Sequence, residues 1–316
     1  MKSARRVWGA GAAALSVAAV VFLACDKDTP AQSTPTSATP TTTPATTSRP
    51  CDVATGGPAG PVTDPSGPYS HAVAVARTTD GVHLTGARSV LDHASVPDGV
   101  RRDNGDVLVY YVNGAAGYVW VGSTDGSSLS PIAPLTLNGN ASPAGIVDPD
   151  AIRLPDGRIR LAYLSGFGPP NSPSVRAMCL ADSDDGLSFT VVGAAYDIAA
   201  GASLTDPSLA RLPDGSWLMA MSRGQQTVMA RSGDGLRFTA YDTLSFGGVP
   251  EVASLPDGRV RLYVCAGGIE SYISANAGQS WTREGTVVSP GTLGARIICD
   301  PSWVPDAGLF IFKIAQ

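Results

Sequence analysis

Runs such as HAVAVAR from His71 and TVMAR from Thr227 alternate with period two, the pattern of a half-buried β-strand. Many of these runs come in pairs. In DPDAIRLPDGRIRLAYLS, Asp148 to Ser165, an acidic residue and a proline precede one apolar run, Pro-Asp-Gly follows, and a second alternating run comes after it. Alternation on both sides of an Asp-Gly pair predicts a β-hairpin.

The hairpin recurs along the chain. VPDGVRRDNGDVLVYY begins at Val96, DPSLARLPDGSWLMAM at Asp206, VPEVASLPDGRVRLYV at Val249 and DPSWVPDAGLFIFKI at Asp300. All five copies share a proline and a polar or acidic residue directly after it. A second motif interleaves: TTDGVHL from Thr78, STDGSSL from Ser123, SDDGLSF from Ser183, SGDGLRF from Ser232 and SANAGQSW from Ser274. Each unit therefore carries two hairpins, or four strands, and recurs about every 40–60 residues. Repeated four-stranded units predict the blades of a β-propeller, and five copies predict five blades.

The second motif comes first in the chain and the first motif comes last. The fifth blade is thus expected to take its inner strands from residues 300–314 and its outer strands from about residues 71–91. Sharing one sheet between the two ends removes the open edges that invite aggregation. The predicted class is all-β, a five-bladed propeller over residues 51–316 closed by N- and C-terminal strands in one blade.

This topology sorts the acidic residues. Both recurring turns fall on one face, so Asp156, Asp214 and Asp257, with Asp80, Asp125, Asp185 and Asp234, are read as turn formers. On the opposite face the chain enters each innermost strand beside the central channel. Asp98, Asp148, Asp150, Asp206, Glu251 and Asp300 lie at those entrances. Carboxylates that converge repel one another, which raises some pKa values and leaves others ionised, as acid–base chemistry requires. A purely structural reading, in which the Asp-Pro pairs cap the strand entrances, stays open.

The N-terminal part is different. Residues 1–24 read as a signal peptide, with MKSARR ahead of an uncharged apolar run. FLAC, ending at Cys25, resembles a bacterial lipoprotein processing site, so Cys25 is the candidate for lipidation and the protein is expected at the cell surface or secreted. From residue 26 to 50 proline and threonine dominate, which predicts a linker with nothing to bury. Loss of residues 1–24 leaves 19 basic against 27 acidic residues, a net charge near −8 that argues against nucleic acid or an anionic membrane as ligand. Membrane contact is expected only through the lipid anchor, and the protein is expected to be a monomer. Cys51, Cys179, Cys265 and Cys299 permit two disulfides in an exported protein. Cys265 and Cys299 fall on the channel face of neighbouring blades and are expected to pair, whereas Cys179 is expected to be an inert buried thiol. The cysteine spacing matches no zinc motif, and neither a metal nor a cofactor is expected.

Residues 71–316 resemble the five-bladed glycoside hydrolases of the arabinanase, arabinofuranosidase and β-xylosidase type, related in fold to the invertases. DPSLARLPDG from Asp206 is similar to their third-blade motif, and VDPDAIRLPDGRIRLAYLS to their second-blade motif. The resemblance implies that Asp206 orients a general acid and tunes its pKa. It also implies that Glu251, the one glutamate at a blade entrance, is that acid. The family's base directly precedes the first-blade proline, where this chain has Val96, with Asp98 two residues later. Asp98 or Asp148 is therefore the candidate to activate water, and His93, Asp150 and Asp300 are candidates to bind substrate. The short second motif also resembles the Asp-box turns of sialidases, which are structural. The expected function is an exported glycoside hydrolase-like protein acting on a pentose-containing or related polysaccharide. The alternative is a non-catalytic propeller lipoprotein that binds a glycan or a protein partner, which Val96 favours.

Overall fold

Four strands in each of five sheets carry the repeat, as seen in a computed structural model that describes residue 51 and residues 66–141, 143–167 and 176–316. The expected signal peptide, Cys25 and the linker up to residue 50 lie outside the described residues. Blade 1 runs Ala94–Arg101, Val107–Asn113, Tyr118–Thr124 and Leu129–Pro134 from the channel outward. Blade 2 uses Ile146–Arg153, Ile159–Ser165, Ala177–Ser183 and Ser188–Asp197. Blade 3 uses Thr205–Arg211, Trp217–Arg223, Gln226–Ser232 and Thr239–Leu244, and blade 4 Pro250–Ser254, Val260–Cys265, Ile269–Ser274 and Thr282–Val288.

The fifth blade closes the ring as its sequence implied. Its inner strands are Ile297–Val304 and Leu309–Ala315, its outer strands His71–Arg77 and Thr85–Asp92. Seven consecutive residue pairs, from His71–Ala315 to Arg77–Leu309, join the two ends of the chain. One element was not foreseen. A short hairpin, Thr136–Leu137 with Asn140–Ala141, pairs in parallel with Ser188–Phe189 and covers part of the outer edge of blade 2.

The core lies between neighbouring blades. The middle strands are apolar on both faces, Val107–Asn113 and Ile159–Ser165 among them, because each face packs on a different neighbour. Polar staples cross these interfaces. Tyr110 donates its hydroxyl hydrogen to the Gly186 carbonyl (2.9 Å), and Tyr263 does the same to Gly81 (2.9 Å), tying an inner strand to the turn of the adjacent blade. Gly81 and Gly186 adopt φ of 79° and 75°, and a Cβ on either would collide with the side chains packed on it.

The turn aspartates are structural. Asp125 Oδ1 accepts the backbone N–H of Ser127 (2.8 Å) and Ser128 (3.2 Å), and Asp185 Oδ1 those of Leu187 (2.7 Å) and Ser188 (2.8 Å). Asp156, Asp214 and Asp257 each accept the N–H two residues on.

Two disulfides brace the ring. Cys265 and Cys299 are bonded between blades 4 and 5, with Cα atoms 5.0 Å apart. Cys179, expected as an inert thiol, is instead bonded to Cys51 at a Cα separation of 5.9 Å. The correction has a physical reason. Cys51 packs into the core cluster between blades 1 and 2, where it meets Cys179 at a separation of 128 residues.

Candidate functional site

The chain enters the innermost strand of every blade through one tripeptide: Val96-Pro97-Asp98, Asp148-Pro149-Asp150, Asp206-Pro207-Ser208, Val249-Pro250-Glu251 and Asp300-Pro301-Ser302. In four of the five the residue before proline is left-handed, with φ of 49° at Val96, 55° at Asp148, 50° at Asp206 and 49° at Asp300. Aspartate tolerates this region better than most residues, whereas β-branched Val96 rarely adopts it. The kink breaks strand register, between Ser95 and Asp98, Thr205 and Ser208, and Cys299 and Ser302. It also sets the first and third residues of each tripeptide at different depths.

The six carboxylates expected at one entrance therefore form two rings. The third residues, Asp98, Asp150, Ser208, Glu251 and Ser302, are all buried and make the lower ring. Each accepts a backbone N–H from the next blade. Asp98 Oδ2 accepts from Ala151 (2.6 Å), Asp150 Oδ2 from Leu209 (3.0 Å) and Ser208 Oγ from Val252 (2.9 Å). Glu251 Oε1 accepts from Trp303 (3.5 Å), and Ser302 Oγ from Gly99 (3.0 Å), which closes the circle. Ser208 also donates to Glu251 Oε2 (2.8 Å). This ring is a clasp that holds five blades together.

Burial makes the clasp's acids hard to ionise. It pushes Asp98 up to about 7. Asp150 and Glu251 are held well above the ordinary carboxylate value, by burial first and by the neighbouring carboxylates second. One oxygen from each of Asp98, Asp150 and Glu251 lies within 4.8 Å of the others, a set that could hold a hard divalent cation, which the sequence did not suggest. The void lined by both rings is only about 20 Å³, room for about one water. Asp98 and Glu251, the candidate base and acid, thus sit below the reach of a sugar held in the upper mouth, as does Asp150, the candidate substrate ligand. Their buried positions follow from the inter-blade hydrogen bonds they make.

The upper ring is more open. Asp148 and Asp206 are partly exposed, with Val96 and Val249 at the corresponding positions of blades 1 and 4. Asp300 is buried and pairs with Lys313 Nζ at 2.6 Å. Asp148 Oδ2 accepts the N–H of Asp206 (3.2 Å), so the two carboxylates stand side by side on adjacent blades. Burial, then the Asp300 charge, pushes Asp148 up to about 6, against the pull of the Asp206 N–H first and of Lys313 and Arg176 after it. Asp206 is raised well above its ordinary value by burial and by the charges of Asp148 and Asp300. Lys313 is raised because its carboxylate neighbours outweigh its burial.

Two members of this mouth escaped the sequence reading. Lys313 interrupts the apolar strand LFIFKIA and is one of only three lysines in the chain, a signal that was available. His71, at the head of the first described strand, bonds to Ser95 Oγ (2.8 Å), and burial followed by nearby Lys313 lowers its pKa. Only strand pairing brings it beside Lys313. His93, expected to touch a sugar, shares a pocket of about 410 Å³ with His71 and Tyr69. It stacks on Tyr69 at 3.9 Å, bonds to the Tyr69 carbonyl (2.6 Å) and does not line the void between the rings.

The sequence matches no family model, and no curated protein is similar to it by sequence. Solved structures do share its fold. A protein of unknown function from Dyadobacter fermentans superposes with a TM-score of 0.55 at 19% identity, over 80% of this chain and 85% of its own. A thermostable family-43 glycoside hydrolase superposes with a TM-score of 0.52 at 12% identity, over 69% of this chain and 83% of its own. A Bacillus subtilis arabinanase aligns over 70% of this chain and 95% of its own, at 13% identity and a TM-score of 0.48. For the first two, at these identities, the shared property is the fold alone.

Proposed function

We propose that this chain is an exported, glycoside hydrolase-like protein that acts on a pentose-containing or related polysaccharide at its upper ring. The observation that supports this most is the Asp148–Asp206 pair, two adjoining carboxylates at an open mouth, both shifted toward neutral pH. Such a pair can divide acid and base roles. Asp206, held well above the ordinary carboxylate value by burial and by the charges of Asp148 and Asp300, holds a proton for the leaving oxygen, the role the resemblance gave to Glu251. Asp148 is ionised above about pH 6 and takes a proton from water. Lys313 positions Asp300 and fixes the field around the pair. Export rests on the apolar run and FLAC site at residues 1–25.

A second reading, a non-catalytic glycan-binding propeller, is favoured by one observation. The upper ring carries Val96 and Val249 in blades 1 and 4, the blades in which the resembling hydrolases keep base and acid.

Aryl glycosides and arabinans assayed with the wild type, Asp206→Asn and Asp148→Asn separate the two. Hydrolysis by the wild type, falling roughly 10²–10⁴-fold in each variant, supports the acid–base pair. Equal turnover in all three proteins would refute it. Glycan binding without turnover would establish the binding reading.

A further inference from the structure

The channel has a second concave end. On the turn face, below the lower ring, lies a cavity of about 280 Å³ whose walls come from the inner strands of all five blades. The void of about 20 Å³ between the rings separates it from the upper mouth. Its volume is just below the roughly 300–1,000 Å³ usual for small-molecule sites, which suits one compact ligand.

Its chemistry differs from that of the mouth. The last residue of the inner strand is arginine in three consecutive blades, Arg101, Arg153 and Arg211, and all three line the cavity. Arg101 Nη1 donates to the Asp306 carbonyl (2.8 Å), and Arg153 pairs with Asp103. The Arg211 guanidinium makes no hydrogen bond or ion pair among the described residues. At the inner end Asp150 and Glu251 line the cavity, and between the two ends the wall is largely aliphatic, with Ile152 and Val252. Carboxyl groups bond hydroxyls in either protonation state, and guanidinium groups bind carboxylate and phosphate bidentately.

We propose that the turn-face cavity binds a hydroxylated organic anion about the size of a monosaccharide, its hydroxyls toward Asp150 and Glu251 and its carboxylate or phosphate on Arg211, flanked by Arg101 and Arg153. The site is separate from the upper ring and does not depend on the reading of that ring.

Calorimetric titration of the full mature chain with glucuronate, glucose 6-phosphate, glucose and inorganic phosphate tests this. The expected result is saturable binding of glucuronate or glucose 6-phosphate with Kd below about 1 mM. Which of the two binds tells a carboxylate site from a phosphate site. Glucose and inorganic phosphate should each bind at least ~10-fold more weakly, for want of the anion or of the hydroxyls. Arg211→Ala should weaken binding about 10-fold or more, and Arg211→Lys less, because lysine keeps the charge but loses the bidentate fork. Asp206→Asn at the opposite end should leave binding unchanged. No saturable binding of either anion, equal binding of glucose, or a loss caused by Asp206→Asn and not by Arg211→Ala would each overturn the proposal.

Discussion

Asp98→Asn should stabilise this protein at alkaline pH, although Asp98 stands at a position that invites a catalytic reading. In the folded chain burial pushes the Asp98 carboxyl up to about 7, from the 3.8 of a free aspartate. The folded state therefore keeps a proton over pH values of about 4 to 7 that the unfolded chain has lost, so stability falls as pH rises through that window. The rise from 3.8 to about 7, at about 1.4 kcal/mol per tenfold change in proton affinity, makes the loss about 4 kcal/mol above pH 7. Asparagine mimics the protonated acid and retains an oxygen to accept the Ala151 N–H, so it removes the pH-dependent loss and keeps the clasp. Differential scanning calorimetry at pH 5, 6, 7 and 8, in the presence of a chelator, is the direct assay. At pH 8 the variant should melt roughly 8–16 °C above the wild type, taking about 2–4 °C per kcal/mol for a chain of this size. The gap should narrow steadily toward pH 5. Parallel melting profiles, or a variant less stable than the wild type at pH 8, would refute the assignment of Asp98 to a buried, protonated clasp.

Ser208→Ala leaves the buried Val252 N–H without its acceptor and should cost about 1–3 kcal/mol in urea unfolding. Removing the Cys265–Cys299 bond by double substitution to alanine opens a loop closed across 34 residues and should cost roughly 3–4 kcal/mol, read as a lower denaturation midpoint. Truncation after Cys299 removes most of Ile297–Val304 and all of Leu309–Ala315, exposing the seven-residue edge of His71–Arg77. The loss should exceed the roughly 5–15 kcal/mol that holds a domain together, so the product should lack a cooperative melting transition.

Much of this architecture was legible because it is local and repeated. Each LPDG or SxDG turn writes its own backbone conformation, and period-two alternation fixes which side of a strand is buried, so five units and their closure follow from counting. The recurrence of a polar residue after the proline of each of the five repeats was also visible, with serine standing at 208 and 302 where carboxylates stand at 98, 150 and 251. The structure explains that interchange by a shared hydrogen-bonding task, since serine accepts an N–H as well as a carboxylate does. What the chain order could not convey is depth. Asp148 and Asp150 are two residues apart, yet the left-handed kink at Asp148 leaves one at the mouth and buries the other against Leu209 of the next blade. The same holds for partners that are far apart in sequence. Lys313 meets Asp300 through a hairpin, His71 reaches that pair across the join of the two chain ends, and Cys51 finds Cys179 across 128 residues. Alternation and turn chemistry act within a few residues, so they determine the blades. The site is built from side chains of different blades, and its members become neighbours only when the ring closes.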